Sequence, residues 1–346
     1  MKVTMQTIAE RVGVSRNAVS LALRNHPSIS AQTREKICKT AAELGYQRNP
    51  AYGELMSQMR LRGHGSTQAT LALFNANRNP KAFSEHPTIP LYVKGCRRRA
   101  AELGYPLDTF WLHEPTTDSD RWINILETRG IRGIVLIGMM RQNRLPAHLL
   151  PLVERFPAVV TGVRTRDPAL SFTCVDHHIL ALRAFERALE LGYRRPGLVL
   201  DRTIDDLVEN RFSAGYQCGQ AQLPKARRLH PFFDVEAATE NPQRFKKWLD
   251  REQPDVIFTL YNVVRHWLND LGYSVPKQMG LVQLEWRDSR PDWAGMDQHN
   301  DVTGEAAVDM LIGMIHRGET SISEFPRATL IGPTWVDGAT VTLAKR

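Results

Sequence analysis

The 346-residue sequence predicts an all-α head joined to an α/β body of two subdomains, each a parallel sheet covered by helices. Three observations lead there. The first 63 residues hold ten Lys or Arg against four Glu, so six of the eight net positive charges lie in the head and the segment after it. After residue 66, short apolar runs alternate with longer amphipathic stretches, the pattern of β-α-β units. Leu-Gly-Tyr occurs four times, at 44–46, 103–105, 191–193 and 271–273, each time after apolar residues at helical spacing.

Composition sets the frame for these elements. With 42% hydrophobic and 24% charged residues the chain is ordinary globular material, long enough for two or three domains. Its four cysteines (Cys38, Cys96, Cys174, Cys218) are far apart and form no Cys-x-x-Cys pair, as expected of free thiols in a reducing cytoplasm. Glu10 and Arg11 stand where a secretion signal would need an apolar core, and the longest apolar run, 134–140, is too short to span a bilayer. A cytoplasmic protein without membrane contact is expected.

The head reads as three helices. Thr4 caps a first carrying Ile8, Ala9 and Val12; Gly13 ends it; Ser15 caps a second carrying Val19 and Leu23. A third runs from Ala31 to Leu44 with Ile37, Ala41 and Leu44 on one face. Two short helices around a glycine turn, backed by a third, form a helix-turn-helix unit. Its second helix opens Ser15-Arg16-Asn17-Ala18, and Arg and Asn are the side chains suited to guanine and adenine edges in the major groove. With the local charge, this points to nucleic acid.

In the body, strands are expected at 70–75, 107–111, 133–137, 158–163, 172–175, 197–200, 256–260, 280–284 and 328–331. Helices are expected at 91–103, 119–128, 178–191, 206–221, 243–250, 263–271 and 303–317. These are too many strands for one compact sheet, so two Rossmann-like subdomains with a cleft between them follow. Each Leu-Gly-Tyr reads as a helix stop, glycine taking the left-handed conformation and tyrosine packing back on the last turn.

Catalytic signatures are missing: there is no Gly-x-Gly-x-x-Gly, phosphate-binding Gly-Lys-Ser/Thr loop, Gly-x-Ser-x-Gly elbow or His-Glu-x-x-His. Asp176-His177-His178 and Asp297-Gln298-His299 invite a metal reading, but nothing recurs at zinc-site spacing. Helix capping by Asp176 and Asp297, where the chain crosses between subdomains, is the preferred role. No cofactor, metal or catalytic residue is assigned. The competing class is an enzyme or solute-binding protein with an accessory DNA-binding head.

The head stretch Val3-Thr4-Met5-Gln6-Thr7-Ile8-Ala9-Glu10-Arg11-Val12-Gly13-Val14-Ser15-Arg16-Asn17-Ala18-Val19-Ser20, with Ile29-Ser30-Ala31-Gln32-Thr33-Arg34 and Leu44-Gly45-Tyr46, resembles the lactose-repressor (LacI-type) family of bacterial transcription regulators. Weaker likeness continues in the body at Arg129-Gly130-Ile131, Ala294-Gly295-Met296-Asp297-Gln298 and Trp335-Val336-Asp337-Gly338. The resemblance implies a helix-turn-helix domain at 1–47, a hinge segment at 48–66 and a periplasmic-binding-protein-type body at 67–346. Within the body, subdomain 1 takes about 67–174 and 299–326, and subdomain 2 about 175–298 and 327–346.

It also implies site residues. Arg16, Asn17 and Leu21 take the base-reading positions, and Thr4, Ser15, Ser20, Asn25 and Tyr46 sit near phosphates. Leu21 departs from members with Arg there; packing and contact with a thymine methyl are both open to it. Leu55 matches the hinge leucine that enters the minor groove, where an apolar wedge unstacks a base step and bends the duplex. Asn75, Arg211, Asn262 and Glu285 would line an effector cleft. Ligand contact and a surface salt-bridge role are equally open for Arg211. Trp286 beside Glu285 gives a carboxylate next to an aromatic, as a sugar site requires, with core packing as its alternative. The implied partners are a pseudo-palindromic double-stranded DNA operator, a small-molecule effector such as a sugar, and a second copy of the chain as a homodimer.

Overall fold

A computed structural model describes residues 4–23, 29–44, 46, 69–115 and 117–342. The chain divides into two compact units, Met1–Gln68 and Ala69–Arg346. The hinge segment at 48–66, with Leu55, and Asn25 in the head lie outside the described residues.

The head contains α1 (Met5–Val12), α2 (Arg16–Ala22) and α3 (Ala31–Glu43). Each begins on a hydroxyl cap: Thr4 accepts from Thr7 N–H, Ser15 from Ala18 N–H and Ser30 from Thr33 N–H. Gly13, at φ 76°, ends α1 and turns the chain into α2. Ile8, Ala9, Val19, Ala22, Ile37 and Ala41 are buried where the three helices meet.

The body holds two sheets. In chain order its elements are β1 (Thr70–Asn75), α4 (Ala82–Glu85), α5 (Ile89–Glu102), β2 (Leu107–Trp111), α6 (Ser119–Thr128), β3 (Ile131–Ile137), α7 (Leu150–Arg155), β4 (Ala158–Thr161), β5 (Ser171–Val175), α8 (His177–Glu190), β6 (Pro196–Val199), α9 (Arg202–Leu207), α10 (Arg211–Ala221), α11 (Val235–Glu240), α12 (Gln243–Glu252), β7 (Val256–Thr259), α13 (Val263–Asp270), β8 (Gly280–Gln283), β9 (Ala294–Asp297), α14 (Asn300–Arg317), β10 (Ala328–Ile331) and β11 (Thr334–Val336). The first lobe's sheet has the order β10-β5-β4-β3-β1-β2 and is parallel throughout. The second has the order β11-β9-β8-β7-β6, parallel except for β11, which runs antiparallel to β9.

Strands covered on both faces are apolar at successive positions. Along β1, Leu71 and Leu73 face α5 and α14 with Ile89 and Leu311, while Ala72 and Phe74 face the opposite core with Trp122 and Leu126. The second sheet repeats the arrangement: Phe258 packs with Phe185 and Tyr216, and Ile257 with Trp248 and Trp267. Three of the Leu-Gly-Tyr stops hold glycine at positive φ, 74° at Gly104, 93° at Gly192 and 81° at Gly272. In all four, tyrosine N–H donates five residues back: Tyr46 to Ala41, Tyr105 to Ala100, Tyr193 to Ala188 and Tyr273 to Leu268. That shared bond identifies one cap used four times.

Several expectations are corrected. The helix expected over 206–221 is two helices, because Glu209 and Asn210 both take φ 58°, and Asp205 from α9 caps α10 by accepting from Ser213 N–H. β9 and β11 were not expected; each is short, and Gly295 weakens the apolar signal of β9. The chain crosses between lobes at Asp176 after β5, at 298–299 after β9, and between β10 and β11. β10 pairs with β5, so the last crossing falls at 332–333 rather than at 326/327. Asp176 caps α8 through Ile179 N–H at 3.1 Å, whereas Asp297 caps no helix; it accepts from His299 N–H just before α14 begins.

Candidate functional site

A cavity of about 570 Å³ lies between the body's two lobes. The first lobe lines it with His86, Thr88 and Tyr92 at the start of α5 and with Thr161 at the end of β4; the second with His177, Phe212, Asn262, Glu285, Arg287 and Arg290. Most of these follow the carboxyl ends of strands, where parallel sheets place their ligands. Tyr92 is held there by the close approach of α5 and α14: a Cβ on Gly95 would collide with the Asp301 carbonyl, and one on Gly304 with the Tyr92 carbonyl.

Glu285, two residues past the end of β8, is the polar centre of the cavity. Its Oε2 accepts from Arg287 Nη2 at 2.6 Å and its Oε1 from Asn300 Nδ2 at 3.2 Å. Arg287 Nη2 also lies 3.3 Å from Thr88 Oγ1 in the first lobe, so both residues bridge the lobes. The Glu285 and Arg287 side chains are 10% and 17% exposed, which makes their ion pair much less screened than a surface one.

Other groups are tuned by burial. Tyr92 is driven well above its ordinary range by burial and then by the Glu285 charge, and so presents an intact hydroxyl. Burial, with Arg211 nearby, pushes His177 down to about 3 and keeps its imidazole neutral. His86 is lowered by burial and Arg287; its Nδ1 accepts from Thr88 N–H at the start of α5. Thr161 Oγ1, His177 Nδ1 and Arg287 Nε are buried without a hydrogen-bond partner in the protein. Buried polar atoms are normally paired, so three of them around one cavity suit a polar ligand.

Of the five body residues expected at the cleft, Asn262 and Glu285 line the cavity, and Asn75, Arg211 and Trp286 do not. Asn75 is consumed by its own turn, its Nδ2 donating to the Asn79 and Pro80 carbonyls and its Oδ1 accepting from Asn77 N–H. Arg211 donates to the Val208 carbonyl and to Cys174 Sγ, with its guanidinium 5.7 Å from the Phe172 ring, so it makes neither a surface salt bridge nor a lining contact. Trp286 packs against the second lobe's core. Tyr92, Thr161, His177, Arg287 and Arg290 were missed. Arg287 and Arg290 follow Glu285 by two and five residues at a strand end, and that was their available signal.

In the head, Arg16 is exposed at the start of α2, and Thr4 and Ser15 are exposed caps. Their oxygens accept helix N–H groups, and the Thr4 hydroxyl also shares a hydrogen bond with the Thr7 hydroxyl at 3.0 Å. Ser20 and Leu21 are half-buried; Tyr46 packs against the head's core. Asn17 lies in α2, with its side chain outside the described residues. Among the described residues no helix is long and apolar enough to cross a membrane, and no group of His, Cys, Asp and Glu is placed to hold a metal ion.

Residues 4–49 match the model of bacterial regulatory proteins, lacI family, and residues 185–341 match that of the periplasmic binding protein-like domain. The transcriptional regulator CelR of Thermobifida fusca is 26% identical over 195 residues, 56% of this chain and only 54% of CelR. The regulator MalR of Streptococcus pneumoniae is 22% identical over 74% of each chain. Among solved structures, a CelR–cellobiose complex superimposes with a TM-score of 0.59 at 19% identity, covering 98% of this chain and 99% of that one. The lac repressor dimer bound to operator and the anti-inducer ONPF gives 0.56 at 18% identity, covering 98% and 99%. The two-lobed fold is shared with both.

Proposed function

We propose, for a chain whose head is of the lacI-family type and whose body is periplasmic-binding-protein-like, that it is a sequence-specific DNA-binding transcription regulator, a repressor controlled by a small molecule bound between the lobes. The observation that carries this reading is the two-lobed cavity on a chain with a basic helix-turn-helix head: Glu285 and Arg287 of the second lobe bond to Asn300 and Thr88 of the first. A ligand that competes for those bonds alters the angle between the lobes. A coupling of about 1–3 kcal/mol is enough to change operator affinity from several-fold to over a hundredfold.

On this reading Arg16, Asn17 and Leu21 meet base edges, while Thr4, Ser15, Ser20, Asn25 and Tyr46 meet phosphates. Leu55 enters the minor groove. The protein acts in the cytoplasm as a homodimer, each copy reading half of a pseudo-palindromic operator. The effector is a sugar or sugar derivative, with hydroxyls met by Asn262, Glu285 and Tyr92. Footprinting on the DNA upstream of its own gene, with and without a panel of sugars and sugar acids, tests this. A symmetric footprint that changes with one ligand is expected; failure to protect any specific sequence overturns the regulator reading.

A further inference from the structure

The charges facing the cavity do not balance. Its lining residues charged at neutral pH are Glu285, Arg287 and Arg290, because both lining histidines, His86 and His177, are held below their ordinary range by burial. Glu285 and Arg287 neutralise each other at 2.6 Å. Arg290 remains. Among the described residues no carboxylate lies within ion-pair distance of it, and the Trp293 ring lies 5.9 Å from its guanidinium.

The local backbone keeps Arg290 beside its like-charged neighbour, since Arg290 N–H donates to the Arg287 carbonyl at 2.9 Å in a tight turn. Burial and then the Arg287 charge press on the Arg290 cation more than the Glu285 and Asp292 charges offset, an arrangement relieved by an incoming negative charge. Arg287 Nε is a second buried donor without a protein partner. Across the cavity Thr88 and Tyr92 bring hydroxyls, and on the same lobe as Arg290 Asn262 brings an amide, suited to the hydroxyls of a polyol.

We infer that the ligand of this cleft is an anionic polyhydroxyl compound, a sugar acid or sugar phosphate, whose charged group is held by Arg290. The inference rests on the reading of the cleft as the effector site and goes beyond it by fixing the ligand's charge. A forked guanidinium meets a carboxylate or phosphate through two parallel charge-assisted hydrogen bonds, stronger than those the uncharged hydroxyls of a neutral sugar can accept.

Calorimetry on the full-length protein tests this with D-gluconate, D-glucuronate and D-glucose 6-phosphate beside neutral D-glucose and cellobiose. One of the anions should bind at least about tenfold more tightly than the neutral parent, and the preference should shrink between about 50 mM and 500 mM salt. Whether gluconate and glucuronate or the phosphate ester wins identifies the anionic group. Arg290→Gln should abolish the preference and Arg290→Lys retain part of it, with thermal melting showing that each variant is folded. Equal binding of a neutral sugar, or an anion preference that survives Arg290→Gln, overturns the inference. A neutral sugar whose binding is lost in Asn262→Ala would still leave the effector reading standing. Binding of none of the five also overturns the anionic class; the effector reading is then judged by the ligand-dependent footprint alone.

Discussion

Glu285 and Asn300 join the two lobes through one hydrogen bond, the Asn300 amide donating to the Glu285 carboxylate at 3.2 Å next to the crossing at 298–299. The other carboxylate oxygen takes the Arg287 guanidinium, and that guanidinium in turn lies against Thr88. One carboxylate thus controls two inter-lobe contacts and lines the cavity. A ligand hydroxyl that bonds to Glu285 must share it with Asn300 or Arg287, which ties occupancy of the cleft to the contact between the lobes.

Glu285→Ala should therefore abolish the response of DNA binding to ligand and also weaken the fold. Removing one member of a largely buried ion pair leaves the other charge stranded; the usual cost of about 3–5 kcal/mol falls to roughly 2–3 kcal/mol here because Arg287 keeps some solvent contact. Glu285→Gln, which keeps a carbonyl oxygen for Asn300 or Arg287, should lose less stability. Urea unfolding of the three proteins checks the order; equal stability of Glu285→Ala and the parent would mean that Arg287 finds another partner.

The α5–α14 contact gives a second expectation. At Gly304 a new methyl would meet the Tyr92 carbonyl and the Cys96 backbone nitrogen, neither of which can swing aside. Gly304→Ala should cost about 3 kcal/mol, at the upper end of ordinary overpacking, and should displace Tyr92 from the cleft. Gly313 lies on the same helix but its added Cβ would meet only the flexible end of Arg317. Gly313→Ala should be neutral or stabilise by up to about 1 kcal/mol, since alanine is the better helix former. Denaturant midpoints of the two variants should move in opposite directions.

The legible and illegible parts of the sequence divide on physical grounds. Strands such as β1, Leu71 to Phe74, are visible because both faces are covered and four successive residues must be apolar. The glycine stops are visible because the left-handed conformation admits few residues. β9 is not visible: it is four residues long and includes Gly295, whose Cβ would strike the Gln283 carbonyl of β8. Asn262 and Glu285, expected at the cleft from the family resemblance, do line the cavity, whereas Asn75, expected on the same ground, does not, because its amide turns back on its own loop. Closeness to Glu285 in sequence was the one signal Arg290 carried; its meaning comes from the fold, where among the described residues no carboxylate lies within ion-pair distance of it.

In the head, Arg16 stands exposed at the start of α2, one residue after the Ser15 cap. Arg16→Ala should cost about 1–3 kcal/mol on the preferred operator and relax the choice of base at one position of each half-site. Binding of the variant to a library of operator sequences separates the cases. A uniform loss across all sequences would make Arg16 a phosphate contact.

The acid dependence of stability should carry a contribution from His177. Burial holds its folded-state value at about 3 against 6.5 in the unfolded chain, so below neutrality the unfolded state binds a proton that the folded state refuses. Stability from this group is complete above pH 6.5 and is lost as the pH falls toward 3, by about 1.4 kcal/mol per pH unit, or roughly 2 kcal/mol by pH 5. His177→Gln removes that proton and should flatten the unfolding free energy between pH 5 and 7 relative to the parent, whatever its effect at pH 7. His86 remains in both proteins, so its own contribution cancels in the difference. A slope unchanged by the substitution would mean that the imidazole is protonated in the folded body, which would add a positive charge to the wall of the cleft.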